Sequence, residues 1–207
     1  MNLVTPASID ILKGYLPKLG ECTIQFKRGR VYNTAKATLN STGRELGSET
    51  YSFVGSNTIH GNYIYATEPF KGKGVGEFLR AASIVEMMTY NGGKIKNFII
   101  ESMHPALGFH TKYGMKPYIK NYDIQKGMTT LMLDRRTIYI PQKRRAEELL
   151  KAGKTEELQN LINEYMQEVR TQMGSNLYPL KLTREDVLSN ATFYNNLFER
   201  NGIDFRV

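Results

Sequence analysis

An α/β (α+β) architecture is predicted for this chain: a sheet flanked by helices, followed by a C-terminal helical extension. Three observations predict it. Residues 59–88 pass from a strand through a glycine-rich turn into a helix, strand-like segments recur between Glu21 and Val54, and beyond Pro141 the pattern becomes helical.

Taken in order, Thr5-Pro6 reads as a helix start, with Ile9, Leu12 and Leu16 on one helical face until Pro17 and Gly20. Glu21 to Lys27 alternates as a strand with Cys22, Ile24 and Phe26 on one side. Val31–Leu39 and Thr50–Val54 read as strands separated by the turn Asn40-Ser41-Thr42-Gly43 and a polar link. Ile59 to Ala66, β-branched and aromatic, is the next strand. A helix opens at about Gly74, because Val75, Phe78, Leu79, Ala82, Val85 and Met88 recur at helical spacing. Asn97–Glu101 reads as a buried strand, and a short helix ends at Gly114. Lys116–Ile124 and Met128–Ile140 read as two strands around a Gln125-Lys126-Gly127 turn. Helices follow over Arg144–Lys151 and Thr155–Gln172, the second striped by Leu158, Leu161, Ile162, Tyr165 and Val169. Thr183 to Asp186 resembles a capping box. It opens a last helix with Val187, Leu188, Ala191, Tyr194, Leu197 and Phe198 inward. The expected division is therefore a domain over 1–140 and a helical extension over 141–207, which packs on the sheet or on a second copy as a homodimer.

At 207 residues, 41% hydrophobic and 23% charged, the composition is that of an ordinary globular protein. No signal-peptide run or membrane span is read, so the expectation is a cytoplasmic chain without membrane association. One cysteine, Cys22, excludes an internal disulfide, and His60, His104 and His110 lack metal-ligand spacing, so no metal is expected. The net charge of +8 is uneven: residues 141–207 carry ten basic and ten acidic side chains, residues 1–140 eighteen and ten. Such a field attracts phosphate-bearing ligands, RNA included, although no aromatic-basic RNA motif accompanies it.

Phe70-Lys71-Gly72-Lys73-Gly74-Val75-Gly76 carries the chemistry. Three glycines at a strand-to-helix turn leave amides bare where the helix dipole adds positive charge, which makes an anion site suited to phosphate. No Lys-Ser or Lys-Thr follows, which argues against the Walker pattern, and Gly72-x-Gly74-x-Gly76 breaks the dinucleotide spacing.

Lys71 to Gly76 does fit Arg/Gln-x-x-Gly-x-Gly/Ala with Lys first, and so resembles the pyrophosphate loop of the GNAT (Gcn5-related) N-acetyltransferases. Pro105 to Met115 resembles that family's Ala-x-x-Phe-Tyr-x-Lys-x-Gly-Phe segment, at the expected distance and after the expected strand. The resemblance covers about Ile59 to Leu133. It implies the GNAT acyl-CoA N-acyltransferase fold, a mixed and mostly antiparallel twisted sheet closed by a last hairpin, and acetyl-CoA as cosubstrate. It also implies direct transfer to an amine of a protein, a small molecule or an aminoacyl-tRNA.

In that reading the backbone of Gly72, Gly74, Val75 and Gly76 holds the pyrophosphate, with Lys71 and Lys73 adding charge. The strand before the loop splays from the next and pairs with the pantetheine arm, an amide near Tyr65 or Ala66 facing the thioester oxygen. Glu68 and Glu101, at strand ends, are the candidate bases. His110 stands where the family commonly has the tyrosine that protonates the thiolate, with Tyr113 as a substitute on roughly the same helical face. Met103 occupies the place of an Asn that contacts the arm. These two departures keep open a degenerate domain that binds CoA, or a partner, without turnover.

Overall fold

The computed structural model describes residues 9–174 and 177–207. The expected Thr5-Pro6 helix start lies outside them. The described residues form two compact units, one of residues 9–101, 108–116 and 180–207, the other of residues 102–107, 117–174 and 177–179. The boundary expected at residue 140 falls inside the second unit. Among the described residues no helix is long and apolar enough to cross a membrane.

The first unit is built on strands β1 (Ile11–Leu16), β2 (Gly20–Lys27), β3 (Asn33–Leu39), β4 (Glu45–Val54) and β5 (Thr58–Ala66), each antiparallel to the next. Helix α1 (Val75–Gly93) then crosses to β6 (Asn97–Met103), which runs parallel to β5. After α2 (Leu107–Lys112) come β7 (Lys116–Pro117) and, 60 positions later, β8 (Leu177–Thr183). The mixed eight-stranded sheet has the order β1-β2-β3-β4-β5-β6-β8-β7. Helix α1 packs on β1, β3, β4 and β5, and its expected apolar face, from Val75 to Met88, is buried. Its regular turns end at Tyr90–Gly92, where Asn91 takes φ 49°.

Three expectations are corrected in this unit. Residues 11–16 form a strand, not a helix. Leu12 and Leu16 lie inward with Gly14 between them, and a Cβ on Gly14 would come within 2.3 Å of the Phe78 ring and 2.7 Å of the Asn201 carbonyl. The three- and four-residue spacing of Ile9, Leu12 and Leu16 imitates a helix, but the hairpin with β2 selects period two. Strand β8 was not expected at all, because Pro179 interrupts a segment whose Leu180 and Leu182 nevertheless alternate into the core. Finally, the single last helix is two, α6 (Arg184–Ser189) and α7 (Ala191–Arg200), broken at Asn190. Leu188 is exposed, while Val187, Tyr194, Leu197 and Phe198 are buried. The Thr183–Asp186 capping box is present, with both reciprocal bonds formed.

In the second unit the expected sheet-closing hairpin is absent. Ile124–Leu133 is helix α3, capped by Asp123, whose side chain accepts from the Lys126 amide at 2.7 Å. A 3-10 turn over Thr137–Tyr139 leads into α4 (Ile140–Lys151), and α5 (Thr155–Gln172) follows. Gly127, read as a turn residue, is a packing residue: a Cβ there would lie 2.2 Å from Ile162 Cγ2. The core joins Leu131, Tyr139, Ala146, Leu149, Leu158, Ile162 and Tyr165. Each large apolar side chain so buried contributes about 1.5–3 kcal/mol. The expected α5 stripe supplies Leu158, Ile162 and Tyr165 to this core, with Leu161 and Val169 packed against it.

Candidate functional site

The glycine turn lies in the first unit. A 3-10 turn at Glu68–Phe70 closes when the Lys71 and Lys73 amides donate to the Glu68 and Phe70 carbonyls. Gly72 (φ 72°) and Gly74 (φ 93°) then take left-handed backbone, which glycine adopts without a Cβ clash. Gly74 is the N-cap of α1, no side chain caps it, and the first helix bond runs from the Phe78 amide to the Gly74 carbonyl. The amides of Val75, Gly76 and Glu77 therefore precede any intrahelical acceptor. Gly72 and Gly74 are exposed, and a Cβ on Gly72 would meet nothing within 4 Å. Lys71 pairs with exposed Glu68, and Lys73 Nζ stands 5.7 Å from the centre of the Phe70 ring. The Arg44 guanidinium, 5.4 Å from the same ring centre, adds a cation that sequence reading missed. No local motif reveals it, since the sheet carries it there from a distant turn.

The two matched sequence segments meet in space. Phe109 of α2 packs against the first turn of α1, where a Cβ on Gly76 would be 3.3 Å from the Phe109 ring. Strands β5 and β6 pair only from Thr58–Asn97 to Gly61–Ile100, although β5 continues to Ala66 and β6 to Met103. Tyr65 and Ala66 lie on the stretch of β5 beyond the fork, half-buried and paired with Ser48 and Gly47 of β4. Glu101 follows the last paired residue of β6, and exposed Met103 ends that strand.

Beneath the fork lies a buried polar cluster that the sequence did not announce. Helix α1 carries Arg80, Ser83, Glu86 and Thr89 into the core at three-residue spacing, and β4 faces it with Glu49 and Tyr51. Arg80 pairs with Glu49 at 3.2 Å, and the Ser83 hydroxyl donates to the other Glu49 oxygen. Glu49 Oε1 lies 3.4 Å from the position a Cβ on Gly61 would take, at the last paired residue of β5. Burial pushes the Glu49 carboxyl above its ordinary range, a rise that Arg80 and Ser83 oppose. Further along, Arg28 pairs with Glu86 at 2.6 Å, and the Tyr51 hydroxyl donates to Glu86 at 3.2 Å. The recurrence of polar residues at 80, 83 and 86 on the expected core face was the available signal.

His110 joins this cluster. It is 6% exposed, and its Nδ1 lies 3.2 Å from Arg80 Nη2. Burial, then the Arg80 charge, lowers its pKa to about 4. The ring is therefore neutral near pH 7, which removes the imidazolium that a proton-donating His110 would need. Tyr113 faces elsewhere. Its hydroxyl donates to Glu77 Oε2 at 2.7 Å, and burial, then the Glu77 hydrogen bond, raise it well above the ordinary tyrosine range. Burial alone would raise the Glu77 carboxyl as well, but the hydrogen bonds from Tyr113, Arg200 and Asn201 and the Arg200 charge bring it below its ordinary value. Among the described residues no group of three or more His, Cys, Asp or Glu side chains is placed to hold a metal ion.

No protein-family model matches the chain, and no curated protein matches it. Solved structures similar to it include Ard1 from Thermoplasma volcanium (14% identity, TM-score 0.41, 72% of this chain and 69% of that one). A GNAT family acetyltransferase from Elizabethkingia anophelis with acetyl-CoA bound is similar at 20% identity and TM-score 0.38, over 44% of this chain and 60% of that one. Tetrahymena GCN5 is similar at 18% identity and TM-score 0.37, over 46% and 64%.

Proposed function

We propose that this chain is a GNAT-type N-acetyltransferase that moves an acetyl group from acetyl-CoA to an amine by direct transfer. The observation that carries the reading is the conjunction of an exposed, uncapped glycine turn at the start of α1 with a β5–β6 ladder that stops at Gly61–Ile100. Bare amides at an N-terminus suit a diphosphate, and an unpaired strand edge suits an amide-bearing arm that binds as an added strand.

In this reading the amides of Gly72, Gly74, Val75 and Gly76 hold the diphosphate, and the Lys71, Lys73 and Arg44 side chains supply positive charge. The backbone of Tyr65 and Ala66 orients the arm and polarises the thioester carbonyl. An acceptor amine with a lysine-like pKa of about 10.4 costs about 4–5 kcal/mol to neutralise near pH 7. Glu101, just past the fork, and Glu68, beside the turn, are the carboxylates assigned to take that proton. His110, neutral near pH 7, and Tyr113, already committed to Glu77, are both poor proton donors to the departing thiolate. The acceptor is an amine on a protein, a small molecule or an aminoacyl-tRNA.

A second reading, a domain that binds the coenzyme without turnover, is favoured by the neutral His110 and by exposed Met103 at the place of the family's Asn. Calorimetry with acetyl-CoA and a thiol-release assay over an amine panel separate the two. Saturable binding with acceptor-dependent thiol release is expected. Binding with no release on any acceptor supports the second reading, and no binding overturns both.

A further inference from the structure

The contact between Arg80 and His110 fixes more than a position. A guanidinium has N–H donors and no acceptor, and it stays charged in proteins. With Arg80 Nη2 at 3.2 Å, the His110 Nδ1 must offer its lone pair. The one proton of a neutral ring then sits on Nε2, the nitrogen that does not face Arg80. Glu49 of β4 holds Arg80 from behind, at 3.2 Å from Nη1, and Ser83 of α1 holds Glu49. Three elements thus converge on one tautomer. Arg80 is the charged group against the ring, while Lys112 follows on the ring's own helix, Tyr113 comes just after that helix ends, and Phe109 packs edge-on at 5.1 Å. Arg80 itself is fully buried, with its guanidinium 4.7 Å from the Phe98 ring centre. It therefore has little room to turn away.

We propose that Arg80, backed by Glu49, is a positioning residue that locks His110 as a neutral imidazole presenting Nε2–H, a hydrogen-bond donor that does not ionise at working pH. This rests on the acetyltransferase reading for its use. At the place where the family pattern has a tyrosine hydroxyl, Nε2–H keeps its own proton and donates a hydrogen bond to the sulfur as the C–N bond forms and the C–S bond breaks. The coenzyme leaves as a thiolate that water protonates, and the amine proton goes to the Glu101 or Glu68 carboxylate. The sequence-derived role for His110, a proton donor, is thereby replaced by a fixed dipole. Such a donor stabilises charge developing on sulfur without needing a matched pKa.

Nitrogen-15 NMR of the histidine-labelled chain tests the lock without any coenzyme, the His110 signals being assigned by their loss in His110→Gln. Expected is a single Nε2–H tautomer, unprotonated from about pH 5.5 to about pH 9, whereas a free histidine titrates near 6.5. An Nδ1–H tautomer, or titration near the ordinary value, overturns the proposal. The use is tested by substitution, because a glutamine amide places an N–H near the site of Nε2–H and an asparagine amide does not. His110→Gln is expected to keep turnover within about tenfold, and His110→Asn to lose about a hundredfold or more, the usual cost of removing one such donor. Acetyl-CoA affinity should be little changed in both. Equal losses in the two variants overturn the assigned use. If the unsubstituted chain neither binds acetyl-CoA nor releases thiol, the acetyltransferase reading fails, and the tautomer measurement still decides the lock.

Discussion

Gly74→Glu is expected to abolish measurable acetyl-CoA binding while leaving the chain folded. Gly74 caps α1 at φ 93°, a conformation that costs a residue with a side chain about 1–2 kcal/mol. The residue is exposed, and its missing Cβ would meet only the Leu16 methyl, at 3.3 Å, so the fold can absorb the change. The new carboxylate, however, stands where the diphosphate is assigned. Two phosphate charges at about 5 Å, with an effective dielectric of about 40, repel it by about 3 kcal/mol, whereas the backbone strain is carried by the free and the bound chain alike. The repulsion alone lowers affinity by more than about a hundredfold. Calorimetry checks this, with Gly74→Ala as the control that carries strain without charge and should lose far less. Unchanged affinity in Gly74→Glu would remove the turn from the coenzyme site.

The second large effect concerns the buried cluster. Arg80→Met should destabilise the chain by about 3–5 kcal/mol, because it leaves the Glu49 carboxylate buried without its counter-charge. Loss of the Arg80 contact with the Phe98 ring adds to the cost. The double variant Glu49→Leu with Arg80→Met removes both charges and should recover most of that loss, since a buried ion pair is often replaceable by apolar volume. Urea unfolding of the two variants measures it. A double variant no more stable than Arg80→Met alone would mean that lost packing, not an orphaned charge, sets the cost.

What the sequence made legible was local chemistry. The glycine turn, the helix after it, the next strand and the short helix follow from residue types whose backbone needs are specific, as do the Thr183–Asp186 cap and the α5 stripe. What it hid depends on partners distant in the chain. Gly14 and Gly127 look like breakers, yet each is a point of close approach, to Phe78 and Ile162 respectively. Pro179 disguises β8, which joins the sheet only after the α3–α5 segment has intervened. Arg80, Ser83 and Glu86 have no visible reason to be buried until β4 brings Glu49 and Tyr51 opposite them, and α2 brings His110. His110 shows the same limit. A motif position says where the ring stands, whereas its protonation follows from its burial and from a guanidinium thirty residues away.

The central claim is that bare amides at the start of α1 grip a diphosphate whose arm lies along β5. Backbone amide resonances followed during an acetyl-CoA titration test it most directly. Saturable shifts confined to residues 71–77 and to β5 beyond Gly61 are predicted. Amides that stay still in both stretches, whether or not other parts of the chain respond, would contradict it.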